Sequence, residues 1–198
     1  MVALTALCTA LTIFLAPMTG ITSKLRTTDT VSFIDVGQGS ANLIQPAGGK
    51  TILIDAGALT TPGFDCGEKI IAPYLWSRGI GRLDDIILTH ADADHYNGIS
   101  ALFERFRPVR LWLPANQSGK PGYHFLISQA LKRGITIEYP QDGIFIRNQL
   151  TTLSRLGERV TGLGENRRLV DSGADNNDNS LIVSLKTSDF SVLFPGDI

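Results

Sequence analysis

The sequence predicts an α/β domain preceded by an apolar N-terminal helix. Three observations carry this. Short β-prone runs alternate with helix-length segments. The apolar run Ile86-Ile87-Leu88 stops abruptly in His90, Asp92, Asp94 and His95. Residues 1–23 hold no charged side chain. The chain has 198 residues, enough for one packed domain and a short appendage. Its formal charge of −1 gives no global basic field to attract nucleic acid, so any such contact must come from a local cluster. Arg105, Arg107 and Arg110 form one cluster and Arg167 with Arg168 another, and each also reads as an ordinary solvated face. The two cysteines, Cys8 and Cys66, make neither a disulfide framework nor a zinc-binding pair.

Taken in order, residues 1–22 are mostly apolar, and about 20 residues suffice to span a bilayer. A cleaved signal peptide is the rival, but Met1–Ala3 lacks the usual basic start and Ala16–Gly20 is a poor cleavage site. Thr5, Cys8, Thr9 and Thr12 share one helical face, the small polar stripe used between packed membrane helices. The expectation is a membrane-spanning helix, the last of a polytopic region. Residues 23–29 follow as a polar linker, and residues 30–198 as the domain. Lys24 and Arg26 are two weak votes for a cytoplasmic domain, so the side of the membrane stays open.

Val31–Val36, Ala41–Gln45 and Thr51–Asp55 read as strands, with glycines supplying the turns between them. Gly67–Arg78 is a helix stopped by Gly79, with Pro73 imposing a kink or a later start. Asp85–Thr89 is the central buried strand, and Asn97 is the candidate N-cap of a helix over Gly98–Phe106. Val109–Leu113 is a strand, Tyr123–Arg133 a helix and Thr136–Tyr139 a strand. Residues 140–160 give only short strands, and Gly162–Asn179 is a polar loop. Ser180–Thr187 and Phe190–Phe194 form a hairpin turning at Ser188-Asp189.

The chemistry lies between His90 and His95. Two of the chain's three histidines fall there, with Asp92 and Asp94 between them. Imidazole nitrogen and carboxylate oxygen suit divalent metals, and sites in open α/β sheets collect beyond the carboxyl ends of strands. A solvated loop without an ion is the bland alternative. His124, among Tyr123, Phe125 and Leu126, reads as a helix-face residue rather than a ligand.

The string His90-Ala-Asp-Ala-Asp-His95 resembles the signature of the metallo-β-lactamase superfamily. Phe33-Ile-Asp-Val-Gly-Gln-Gly-Ser40, Ile52-Leu-Ile-Asp-Ala-Gly57, Asn177-Asp-Asn-Ser180 and Leu193-Phe-Pro-Gly-Asp197 extend it in the expected order. The Asp-Val-Gly-Gln-Gly opening, Asp92 in place of a second His and the Asn-x-Asn-Ser box are similar to the lactamase-like domain of ComEC-type DNA internalisation proteins of bacterial competence. The resemblance implies an αββα sandwich, of which residues 30–198 hold the first half to two-thirds. It further implies two divalent ions, with His90 and Asp92 on the first, Asp94 and His95 on the second and Asp197 bridging. Asp55 would lie beneath the site. Asp94 and Asp55 are the candidate catalytic carboxylates, Asp55 being equally readable as a turn residue. Gly37 and Gly39 suit a tight turn or a phosphate cradle. Ser40 stands where the family usually carries Asp. Asn177 and Asn179 occupy a region where many relatives place a ligand His. A donor set richer in carboxylate than imidazole moves the expected metal from zinc alone toward manganese, with magnesium a further option.

The leading expectation is a metal-dependent hydrolase domain, a nuclease, of a bacterial inner-membrane protein for DNA uptake. Its expected partners are DNA, the membrane and other competence or channel components. Alternatives are a generic ester, lactone or thioester hydrolase of the same fold, and a non-catalytic DNA-binding or gating domain. Because the sequence stops just after Asp197, a fragment of a longer protein is expected, poorly active as it stands.

Overall fold

The computed structural model describes residues 26–59, 63–114, 118–140, 145–146, 150–153 and 180–197. In chain order its elements are β1 (Thr30–Phe33), β2 (Gly39–Gln45), β3 (Ile52–Ala58), a π-helical turn (Gly67–Ile71), α1 (Ala72–Ser77) and β4 (Asp85–Ile87). These are followed by α2 (Ala93–Tyr96), α3 (Ile99–Phe106), β5 (Arg110–Trp112), α4 (Pro121–Lys132) and β6 (Thr136–Glu138). The second sheet contributes β7 (Phe145–Ile146), β8 (Leu150–Leu153), β9 (Ile182–Lys186) and β10 (Ser191–Phe194).

The first sheet has six strands in the order β1-β2-β3-β4-β5-β6, antiparallel across β1–β3 and parallel from β3 to β6. The second has four, in the order β10-β9-β8-β7, all antiparallel. Side-chain alternation along β3 builds both cores. Leu53 faces a cluster containing Leu75, Ile99, Phe103, Phe106, Tyr123 and Leu126 from the helices. Ile52 and Ile54 face the other way, onto Leu181, Val183, Leu185 and Phe194 of the second sheet. A strand buried on both faces reads as a continuous apolar run, as Ile52-Leu53-Ile54 does. The layers among the described residues are therefore helix, sheet and sheet, an α/β arrangement with a mixed sheet.

Where structure and expectation differ, the causes are local. The helix expected over Gly67–Arg78 is a π-helical turn running into α1, and the change falls one residue before Pro73, which then occupies the first turn of α1 where its missing N–H costs nothing. Asn97 is not an N-cap. Its amide instead pairs with both backbone groups of Ala58, donating to the carbonyl and accepting from the N–H at 3.0 Å, and Gly98 precedes α3 in its place. The short helix α2, which carries Asp94 and His95, leaves no mark in the sequence, because four residues are too few for a periodicity signal. Gly162–Asn179 and residues 1–22 lie outside the described residues, and no described helix is long and apolar enough to cross a membrane.

Candidate metal centre

The site begins with a distortion of β3. Pairing with β2 slips between Ser40 and Asn42, and Asp55 sits there at a left-handed φ of 56°. Asp tolerates that region better than most side chains, and bulges of this kind re-aim a residue beside a functional site. The Asp55 carboxylate, buried to 1% exposure, accepts from the Thr89 backbone N–H at 2.8 Å, from the Thr89 hydroxyl and from His95 Nδ1 at 2.9 Å. It thus ties the loop after β4 to α2. Glycines permit the close approach. A Cβ on Gly57 would lie 2.4 Å from the Asp94 carbonyl carbon and the His95 nitrogen, and one on Gly39 would meet Gly57 and Asp94 backbone oxygens at 2.3 and 2.8 Å.

These supports orient two neighbouring imidazoles, centroids 3.9 Å apart and planes tilted by 52°. The Thr89 hydroxyl has a single proton, and the adjacent Asp55 carboxylate takes it. Its lone pair then accepts from His90 Nδ1 at 3.1 Å, so the hydrogen-bond network assigns the His90 proton to Nδ1 and leaves Nε2 bare. That Nε2 is buried and has no hydrogen-bond partner. Asp55 fixes the Nδ1 proton of His95 in the same way, turning its Nε2 toward Asp197 Oδ1 at 3.2 Å. The other Asp197 oxygen lies 4.0 Å from His90 Nε2. One donor atom each from His90, His95 and Asp197 fall within 4.8 Å of one another. An orphaned, buried imidazole nitrogen facing a second nitrogen and a carboxylate fits a divalent cation.

The electrostatics agree. His90 is pushed below the ordinary histidine range by burial and by its neighbour His95, against the pull of Asp55, Asp92 and Asp197. Burial also pulls His95 down. Its hydrogen bond to Asp55 and the charges of Asp55, Asp197 and Asp94 outweigh that effect, so His95 ends above the ordinary range. The carboxylates draw positive charge to the point where the two Nε2 atoms converge.

The remaining candidates divide. Asp92 Oδ2 is 3.8 Å from His90 Nε2, at the edge of the cluster, while its Oδ1 pairs with the Lys120 ammonium. The Asp94 carboxylate is outside the three-residue group, and its charge acts on His95. Gly37 takes a left-handed φ of 79° in a turn where its N–H donates to Asp35, and nothing would crowd a Cβ there. Ser40 accepts from the Asn42 side chain at 3.1 Å. Asn177 and Asn179 lie outside the described residues. Two of the clustered arginines have partners within the fold, while Arg167 and Arg168 lie outside the described residues. Arg105 pairs with Glu68 and lies over the Trp76 ring, and Arg110 binds buried Asp85. Sequence reasoning missed Thr89 and Lys120. Thr89 could have been found as the hydroxyl directly before His90. Lys120 sits in a Pro/Gly-rich loop 28 positions from Asp92 and carried no local signal.

Comparison with known proteins agrees with this geometry. A family described as the metallo-beta-lactamase superfamily matches residues 34–164. ComE operon protein 3 of Bacillus subtilis (strain 168) is 27% identical over 179 residues, 85% of this chain and 22% of that protein. Recombination protein 2 of Haemophilus influenzae (strain ATCC 51907 / DSM 11121 / KW20 / Rd) is 39% identical over 93 residues, 47% of this chain and 11% of that protein. The chain therefore spans under a quarter of the length of either relative. Among solved structures, a HARLDQ-motif mutant of the metallo-beta-lactamase from Cronobacter sakazakii superposes with a TM-score of 0.51 at 17% identity, over 83% of this chain and 60% of that one. The matched region takes in the Asp55 bulge, both imidazoles and the strands that hold them, and on that ground the chain belongs to the metallo-beta-lactamase superfamily.

Proposed function

We propose that this chain is the hydrolase domain of a ComEC-type DNA internalisation protein and cleaves phosphodiester bonds of DNA. One observation carries the reading: two imidazole Nε2 atoms, one of them buried and unpartnered, converge on Asp197 while Asp55 and Thr89 hold both rings in the metal-binding tautomer. His90, His95 and Asp197 would hold one divalent ion, with Asp92 at the edge of the set. Asp94 would serve a second, weaker position. A divalent ion there would supply Lewis acidity for a phosphoryl oxygen and activate water near neutral pH. The protein's own part is to fix the donors, to exclude water around His90 and to hold the proton of each ring at Nδ1, so that each Nε2 is turned to the ion position. The carboxylate-rich set favours manganese at least as much as zinc. Similarity to ComE operon protein 3 and Recombination protein 2 supports the ComEC-type assignment.

The test is hydrolysis of single- and double-stranded DNA and of bis(p-nitrophenyl) phosphate, with a lactone and a thioester as controls, under manganese and zinc in turn. Phosphodiester turnover supported by manganese is expected, and Asp92→His should swing the preference toward zinc. Turnover of the lactone or thioester with no phosphodiester cleavage overturns the reading in favour of a generic hydrolase. Residues 1–22 are proposed to anchor the domain in the bacterial inner membrane. A tagged chain should then resist alkaline carbonate extraction, whereas release of a product shortened by about 20 residues would identify a signal peptide.

A further inference from the structure

We infer that Lys120 is a substrate-anion residue, which binds a non-bridging phosphate oxygen beside the metal position; this rests on the phosphodiester reading above. The Asp92 carboxylate separates two cation positions. Its Oδ2 lies 3.8 Å from His90 Nε2, on the side of the candidate ion, and its Oδ1 meets the Lys120 ammonium. Lys120 is therefore held at the rim of the cluster, one carboxylate away from the ion. Its side chain is 46% exposed, and an ammonium has three donors, of which Asp92 need not take all.

Three contacts fix this rim. Lys120 directly precedes α4, and its backbone N–H donates to Ser118 Oγ at 3.2 Å. Tyr96 of α2 packs edge-on against Tyr123 of α4, with centroids 6.3 Å apart. Gly122 makes room for it, since a Cβ there would stand 2.6 Å from the Tyr96 hydroxyl. The helix bearing His95 and the helix following Lys120 are thus locked together, and the ammonium keeps a set relation to the donor cluster.

A phosphodiester carries two non-bridging oxygens that share a negative charge. With an ion held by His90, His95 and Asp197, one would face the ion and the other would be left for Lys120 at the rim. A neutral ester offers a single carbonyl oxygen and gains nothing from the second position. Preorganised cations aimed at developing charge favour the anionic substrate in its transition state as well as its ground state. A lysine serving only as the counter-ion of Asp92 would instead affect metal binding alone.

The experiment compares the full chain with Lys120→Gln and Lys120→Arg, each checked for native circular dichroism. Manganese is titrated calorimetrically, then inorganic phosphate is titrated at saturating manganese. Expected for Lys120→Gln is phosphate binding weakened about tenfold with manganese affinity unchanged or tighter, and for Lys120→Arg a retained phosphate site. Phosphate affinity indifferent to Lys120→Gln, absent in the parent chain, or falling only in step with manganese affinity overturns the inference. Turnover of bis(p-nitrophenyl) phosphate is read separately. Lys120-dependent phosphate binding without turnover fails the hydrolase reading and leaves the anion site standing, and turnover with Lys120-independent binding does the reverse.

Discussion

Asp55 does its work without reaching the centre of the cluster: its carboxylate accepts from Thr89 and His95, and both imidazoles depend on that arrangement. Asp55→Asn keeps a side chain that tolerates a left-handed φ but weakens the acceptor for His95. Such supporting groups typically contribute 10–100-fold to metal affinity. Manganese titration should show a loss in that range, with far-UV circular dichroism unchanged; an unaltered affinity would remove Asp55 from the site. Gly57 is the sterner case. A methyl group there meets backbone at 2.4 Å, which no rotamer change relieves. Gly57→Ala should cost about 3 kcal/mol in urea unfolding, the upper range for overpacking, and should displace His95 with it.

At the scale of elements, the parallel strands were legible because their apolar runs are short and uninterrupted; His90 and His95 were legible because an apolar strand ends where polar donors begin, and Asp197 only through the family resemblance. The bulge in β3 was not, since Ile52-Leu-Ile-Asp-Ala-Gly57 gives no sign in composition that the register slips at Asp55. Nor was the role of Asn97, whose type suits a cap as well as it suits the Ala58 backbone. Lys120 shows the general limit: a cation brought to the site by tertiary packing alone leaves no trace in local pattern. The far ends of β4 and β5 carry their own tie. Arg110 donates to fully buried Asp85 through Nε at 2.6 Å and Nη2 at 3.1 Å, and Trp112 Nε1 adds a third bond at 3.0 Å. Removing one partner of a buried pair strands the other charge, at about 3–5 kcal/mol. Arg110→Met should therefore lower stability by roughly that amount in denaturant melts while leaving metal stoichiometry untouched, because Asp85 opens the strand that His90 follows.

For the molecule as a whole, the three donor groups in mutual reach among the described residues set the expected metal content. Elemental analysis of the purified chain should find one tightly held ion, with any second ion lost on dialysis; two that survive dialysis would place Asp94 and Asp92 on equal terms with the rest. The donors also come from different layers. His90 and His95 follow β4 of the first sheet, whereas Asp197 follows β10 of the second. An ion between them would be a cross-link from sheet to sheet, and by linkage its binding free energy would be added to the cohesion of that interface. Chelation should then speed amide hydrogen exchange in residues 181–194 far more than in β3, which keeps β2 and β4 on its two edges and the helices on one face. Metal availability would in this way govern how firmly the second sheet stays closed on the first, giving the site a clasp's role beside the hydrolysis proposed for it.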